Sequence, residues 1–164
     1  ALEAAALSQT TSGRYFEDFT VGEVLVTSRR TIAEADIVSF AGLSGDFNPL
    51  HTDEVYGQST PFGGRIAHGM LVVSVGTGLV NQTGWFVGTT LALLEITRKF
   101  VGVVKPGDTI HLTMEVVSAR ESSRGDRGIV TFSIRIVNQR DETVIEGQEV
   151  VMLRRRPSEK SVER

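Results

Sequence analysis

Asp46 and His51 lie five residues apart in the segment Leu43-Ser44-Gly45-Asp46-Phe47-Asn48-Pro49-Leu50-His51. A carboxylate is anionic at neutral pH and accepts hydrogen bonds, and an imidazole takes up or releases a proton near that pH, so together they can hold one water and move its protons. The residues between them shape the connection: Asn48 can bond its own backbone in a turn, and Pro49 fixes one torsion. Loops that present such groups on a rigid scaffold are frequent sites of function. Either residue alone would pass for a turn Asp or a structural His; the pairing is what suggests acid–base chemistry.

A second stretch, Phe62-Gly63-Gly64-Arg65-Ile66-Ala67-His68-Gly69-Met70, leads into an apolar run that ends at Val80. A helix is predicted from about Ile66, apolar almost all round and so covered by other elements on most sides. Gly69 lies near its start, where backbone N–H groups and the helix dipole favour developing negative charge. The run is too short to span a bilayer and is interrupted by His68, Gly69, Ser74, Gly76, Thr77 and Gly78. Each internal glycine lowers helix propensity by roughly 1 kcal/mol relative to Ala, which marks these glycines as positions of close approach.

The elements that must position these residues can be read on either side. A strand is expected from Glu23 to Arg30 after the turn at Val21-Gly22. Thr31 and Glu34 match a capping box for a helix whose apolar stripe is Ile32, Ala35, Ile37, Val38 and Ala41, ended by Gly42 and Gly45. Thr52 and Asp53 are caps for a short helix through about Gly57, and Thr60 to Gly64 forms a loop. From Val87 the period changes to two. Strands are predicted at Leu91–Val101, Thr109–Ser118, Ile129–Val137 and Thr143–Leu153, separated by turn signals at antiparallel hairpin spacing. One apolar helix followed by a meander of long strands implies an α+β domain, a curved antiparallel sheet wrapped around one long central helix.

The whole chain has 164 residues, 40% hydrophobic, enough for one domain. Seventeen Lys and Arg against twenty Asp and Glu give a net charge of −3, so no basic footprint suggests nucleic acid. The absence of cysteine removes disulfides, thiol catalysis and thiolate zinc sites. The three histidines, His51, His68 and His111, form no ligand pattern at their separations, so no metal is expected. No phosphate loop or dinucleotide fingerprint is present. Residues 1–13 are read as a flexible lead-in, 14–154 as the domain and 155–164 as a charged, solvated tail, with the cytoplasm as the default location.

The stretch from Phe40 to His51 resembles the signature of the MaoC-like, (R)-specific enoyl-CoA hydratases, and Phe62 to Met70 resembles that family's second motif. The resemblance extends from Arg14-Tyr15-Phe16-Glu17-Asp18-Phe19 to Lys105-Pro106-Gly107-Asp108. One departure is Gly57, six residues after His51, where the family carries a small Ala or Ser. The resemblance implies a hotdog fold, no cofactor besides CoA carried by the substrate, and a place in fatty acid metabolism. It implies hydration of a trans-2-enoyl-CoA to the (3R)-hydroxyacyl-CoA, or the reverse dehydration. Asp46 and His51 would hold the water, and the Gly69 N–H would bind the thioester carbonyl. Thr77 falls where many relatives carry a hydroxyl residue, although a bond from its side chain to a preceding helical carbonyl is an equal expectation.

Asn48 with Phe62, Ile66 and Met70 completes the expected substrate-binding set, with Trp85 as a further wall; core packing accounts for the apolar members equally well. Arg65, Arg98, Lys99 and Lys105 are the cations available to CoA phosphates. His68 is expected to bond the loop, and His111 to lie on the polar face of its strand. The partner is an acyl-CoA thioester, with neither nucleic acid nor membrane. A single hotdog exposes a sheet edge, which predicts a homodimer or dimer-based oligomer. Rival readings are a dehydratase acting on acyl carrier protein or on a branched or dicarboxylic (mesaconyl-type) CoA ester, a thioesterase, and a non-catalytic acyl-CoA-binding or partner subunit.

Overall fold

The computed structural model describes residues 13–157. Most of the expected lead-in and tail lies outside that range. A 3-10 turn at Phe16–Asp18 precedes β1 (Val24–Val26), β2 (Arg30–Thr31), α1 (Glu34–Ser44), α2 (Pro49–Thr52), α3 (Glu54–Ser59) and α4 (Gly69–Gln82). Four long strands follow, β3 (Thr90–Phe100), β4 (Thr109–Glu121), β5 (Arg127–Val137) and β6 (Thr143–Arg154). The sheet is antiparallel in the order β1-β4-β5-β6-β3, with β2 also on β4. The α+β architecture is therefore the expected one, a curved sheet packed on one apolar helix.

Period two explains the sheet. Ile110, Leu112, Met114 and Val116 alternate along β4, each buried, and meet Val130, Phe132, Ile134 and Ile136 of β5. Leu71, Val72, Val75 and Leu79 of α4 close this core. Gly76 is a true close approach: a Cβ there would lie 2.9 Å from Ile136 Cδ1. Gly78 faces open space, so its neighbour's reason does not extend to it.

Three boundaries differ from the sequence expectation, each for a local reason. The first strand splits because the Thr27 hydroxyl takes the Leu112 N–H (2.9 Å) and donates to the Ser28 carbonyl (2.8 Å). Thr31 does not cap α1; its hydroxyl pairs with that of Thr109, while the Asp36 carboxylate accepts the Ala33 N–H at 2.8 Å and makes Ala33 the N-cap, two residues later. The long helix begins at Gly69 rather than Ile66, because Ile66 N–H donates to Leu50 and Ala67 N–H to Val104, holding this segment extended.

The ends of the described chain are pinned. Gly13 N–H donates to the Val87 carbonyl, and Arg14 lies over Phe19, which packs with Phe86 and Phe132. Arg155 pairs with Glu17 and Glu121, and Arg156 with Asp18. No helix among the described residues is long and apolar enough to cross a membrane.

At the turn before β4, Asp108 is buried at 8% exposure. Burial alone would raise its pKa; the Gln139 amide (2.6 Å), the Lys105 N–H (2.8 Å) and Arg140 outweigh it and hold the carboxyl below its ordinary value. A depressed folded value contributes stability above the unfolded pKa and loses it as pH falls through the folded one. Asp108→Asn should therefore cost about 1.5–3 kcal/mol at pH 7. In denaturant titrations its gap from the parent should close below about pH 4.

Candidate active site

Gly45 ends α1 in the left-handed region (φ 77°), its N–H donating to Ala41. The chain then turns sharply into the Asp46 loop. Asp46 is exposed, but its main chain is held at both ends. Its N–H donates to Ser44 Oγ (3.2 Å), and its carbonyl accepts from His68 Nε2 (2.9 Å). One carboxylate oxygen also accepts the Asn48 N–H at 3.2 Å.

Asn48 is the N-cap of α2, its Oδ1 accepting the Leu50 N–H at 3.0 Å, and Pro49 follows at the first helical position. This single turn carries His51. Its Nδ1 lies 2.8 Å from the Ile66 carbonyl. A carbonyl only accepts, so Nδ1 carries the hydrogen, and in the neutral ring Nε2 is the bare nitrogen. Asn48 is thus a cap and loop shaper, and nothing places its side chain in the cleft.

A cleft of about 540 Å³ opens beside His51, walled by Phe62, Ile66, Gly69, Val72, Phe100, Val104 and Ile145 among others. Of the expected substrate-binding residues, Phe62 and Ile66 line it. Met70 does not; it is 58% exposed on the outer face of α4. Thr77 is exposed on the same face and donates to the Val73 carbonyl at 3.1 Å. Trp85 packs on the core beyond α4. Phe100, Val104 and Ile145 are walls beyond the expected set; the one signal for them in the sequence is the apolar run Val101-Gly102-Val103-Val104 ahead of the Pro106-Gly107 turn.

Gly69 is the first residue of α4. Its N–H has no acceptor in the chain among the described residues, as expected for a leading helical amide. A Cβ at this position would lie 2.5 Å from the Phe100 ring, so glycine is required by the wall rather than by open space.

The four expected cations divide. Arg65 joins Glu34 at the start of α1 to Glu54 at the start of α3, at 2.5 and 3.0 Å, and these partners raise its pKa. Arg98 is buried against Glu149. Lys99 is exposed, 3.9 Å from Glu146. The ammonium of Lys105, next to Val104 of the cleft wall, has no acidic partner among the described residues, although its main-chain N–H donates to Asp108. His111 is partly buried, and burial, with Arg29 nearby, lowers its pKa.

Sequence separation hid one cluster. A carboxylate oxygen of Asp46 and one ring nitrogen each from His51 and His68 lie within 4.8 Å of one another. The two imidazoles stack, centroids 3.9 Å apart and planes 30° from parallel. Lone pairs lie in the ring planes, so stacked rings set them side by side, whereas zinc needs them to converge at about 2.0–2.1 Å. The arrangement suits a water shared between Asp46 and His51 better than an ion.

Comparison with known proteins gives one consistent result. Residues 18–136 match the family model described as a MaoC like domain. The chain is 40% identical over 102 residues to "Protein MaoC" of Klebsiella aerogenes, covering 62% of this chain but 30% of that protein. It is 37% identical to the (R)-specific enoyl-CoA hydratase of Rhodospirillum rubrum, with 85% of this chain and 91% of that one covered. Among solved structures, one described as the monoamine oxidase regulatory protein of Archaeoglobus fulgidus superposes with a TM-score of 0.82 at 37% identity, covering 88% of this chain and 97% of that one. A double-hotdog protein of Mycobacterium tuberculosis, 23% identical with a TM-score of 0.77 over 89% of this chain and 46% of that one, shares the hotdog fold.

Proposed function

The chain belongs to the MaoC-like dehydratase family, and on that premise we propose that it adds water to a trans-2-enoyl-CoA to give the (3R)-hydroxyacyl-CoA, and catalyses the reverse. What supports this above all is the His51 ring, whose Nδ1–H is committed to the Ile66 carbonyl while the ring borders the cleft near the Asp46 carboxylate. Nε2 is then free to accept a proton from water.

In the forward direction the water oxygen bonds to the β-carbon as His51 Nε2 takes one of its protons. Asp46 holds the water's other hydrogen and, as an anion, favours the imidazolium that forms. Electrons of the double bond move onto the thioester oxygen, where the leading N–H of α4, from Gly69, donates to the charge. The proton on His51 is returned to the α-carbon from the same face. Hydroxyl and hydrogen have then been added, and both side chains are back in their starting states.

No lysine or arginine lines the cleft among the described residues, which favours an aliphatic acyl chain over a dicarboxylic one. Lys105 is the cation best placed for CoA phosphates.

The edge strand β3 is hydrogen-bonded on one side by β6 and exposes Leu93, Leu94, Ile96 and Phe100. With Met70 and Thr77 exposed on α4, that supports a homodimer formed at this edge.

Crotonyl-CoA mixed with the purified chain should lose its conjugated double bond and yield the (3R)-alcohol without free thiol. Release of free CoA instead would make the protein a thioesterase, and binding without turnover would make it a carrier or partner subunit. The same preparation should sediment as a dimer at micromolar concentration; a monomeric mass would contradict the edge assignment.

A further inference from the structure

His68 is the least exposed polar side chain at the site, at 2%, and the proposed chemistry gives it no proton to move. Its position is nevertheless highly determined. Nε2 donates to the Asp46 main-chain carbonyl at 2.9 Å, from 22 residues along the chain. One face of the ring carries the His51 imidazole at 3.9 Å, and Phe40 packs on the ring at 5.0 Å. Nδ1 is buried with no hydrogen-bond partner among the described residues. A residue chosen only to fill this space would avoid that cost, since an apolar ring buries no unpaired acceptor.

We propose that His68 is a positioning residue for the hydration proposed above, on which this inference rests: its Nε2–H fixes the Asp46 loop and its ring supports His51, so one side chain sets the gap across which the water is shared. The Asp46 loop is exposed, with no covering element among the described residues, and the His68 bond ties it to the buried segment ahead of α4. Small displacements matter here, because a misplacement of about 1 Å costs on the order of a hundredfold in rate.

Two substitutions separate the donor from the ring. His68→Phe keeps a ring under His51 and removes the donor; His68→Gln keeps an N–H near the Nε2 position and removes the ring. With crotonyl-CoA, His68→Phe should lower kcat about 100-fold, with KM within about twofold of the parent. Its thermal midpoint should be equal or higher, because the orphaned nitrogen is gone. His68→Gln should return kcat to within about tenfold of the parent, through the restored donor. His68→Leu gives the same donor-free readout if the larger Phe ring does not fit.

Parent-like kcat in the donor-free variant, a Gln variant no better than Phe, or a fall in thermal midpoint that tracks the loss of activity would each overturn the proposal. A crystal structure of His68→Phe supplies a readout independent of turnover. A displaced Asp46 loop is expected, and an unmoved loop overturns the positioning role. If the parent hydrates no enoyl thioester, the hydratase reading fails separately, and the loop displacement still decides what His68 holds.

Discussion

An Asp46→Asn protein should fold like its parent and hydrate crotonyl-CoA with kcat lowered by about 10²–10⁴-fold. The substitution is conservative in every respect except charge. Asparagine keeps an oxygen for the Asn48 N–H, and the two main-chain bonds that hold the residue, to Ser44 and from His68, do not involve the side chain. The site is exposed, so no buried group loses its partner. What goes is the anion to which the proposed mechanism gives the orienting of the water and the balancing of the proton on His51. Thermal unfolding should accordingly shift little while turnover collapses, with KM nearly unchanged because the cleft walls are untouched. Undiminished turnover by a folded variant would remove Asp46 from the mechanism.

The largest structural effect is expected at Gly147. It sits in β6 opposite Arg98 of β3 and Ile134 of β5. A Cβ there would collide with the Thr97 carbonyl oxygen and lie 3.1 Å from Arg98 Cα, which are backbone atoms of the neighbouring strand. A side chain can be admitted only by moving β3 outward, which also disturbs the half-buried Arg98–Glu149 pair. Gly147→Val should cost about 3 kcal/mol, at the upper end for overpacking. That lowers the thermal midpoint by roughly 6–12 °C for a domain of this size. Activity should fall as well, since Phe100 at the end of β3 forms part of the cleft. A variant with parental stability would show that the two strands can separate without penalty.

Much of this was legible in the sequence because it is local. Alternation in β4 and β5 follows from side chains pointing to opposite faces of a sheet, and the ladders formed where the pattern placed them. Asp46 and His51 could be paired because one turn and one short helix separate them. The helix start was misread because apolar residues at Ile66 and Ala67 suit a helix equally well; bonds to Leu50 and Val104, distant in sequence, hold them extended. Thr31 followed the capping pattern, yet the strand partner Thr109 claimed its hydroxyl. His68 shows the same limit. Its link to the Asp46 loop spans 22 residues, and nothing in either segment announces the other. Arg65 and Arg98 are available to phosphates by sequence position alone, but carboxylates distant in sequence hold both.

The Phe100 ring packs beneath Gly69 and closes one side of the cleft, yet it belongs to the strand with the free edge. Whatever settles on that edge acts on the same strand that borders the cleft. Association and ligand binding are then thermodynamically reciprocal: a ligand that tightens the strand pairing by some factor is itself held more tightly in the pair by that factor. In the proposed dimer, such coupling would make apparent affinity for the ligand depend on protein concentration, so that dilution alone would turn the proposed activity down.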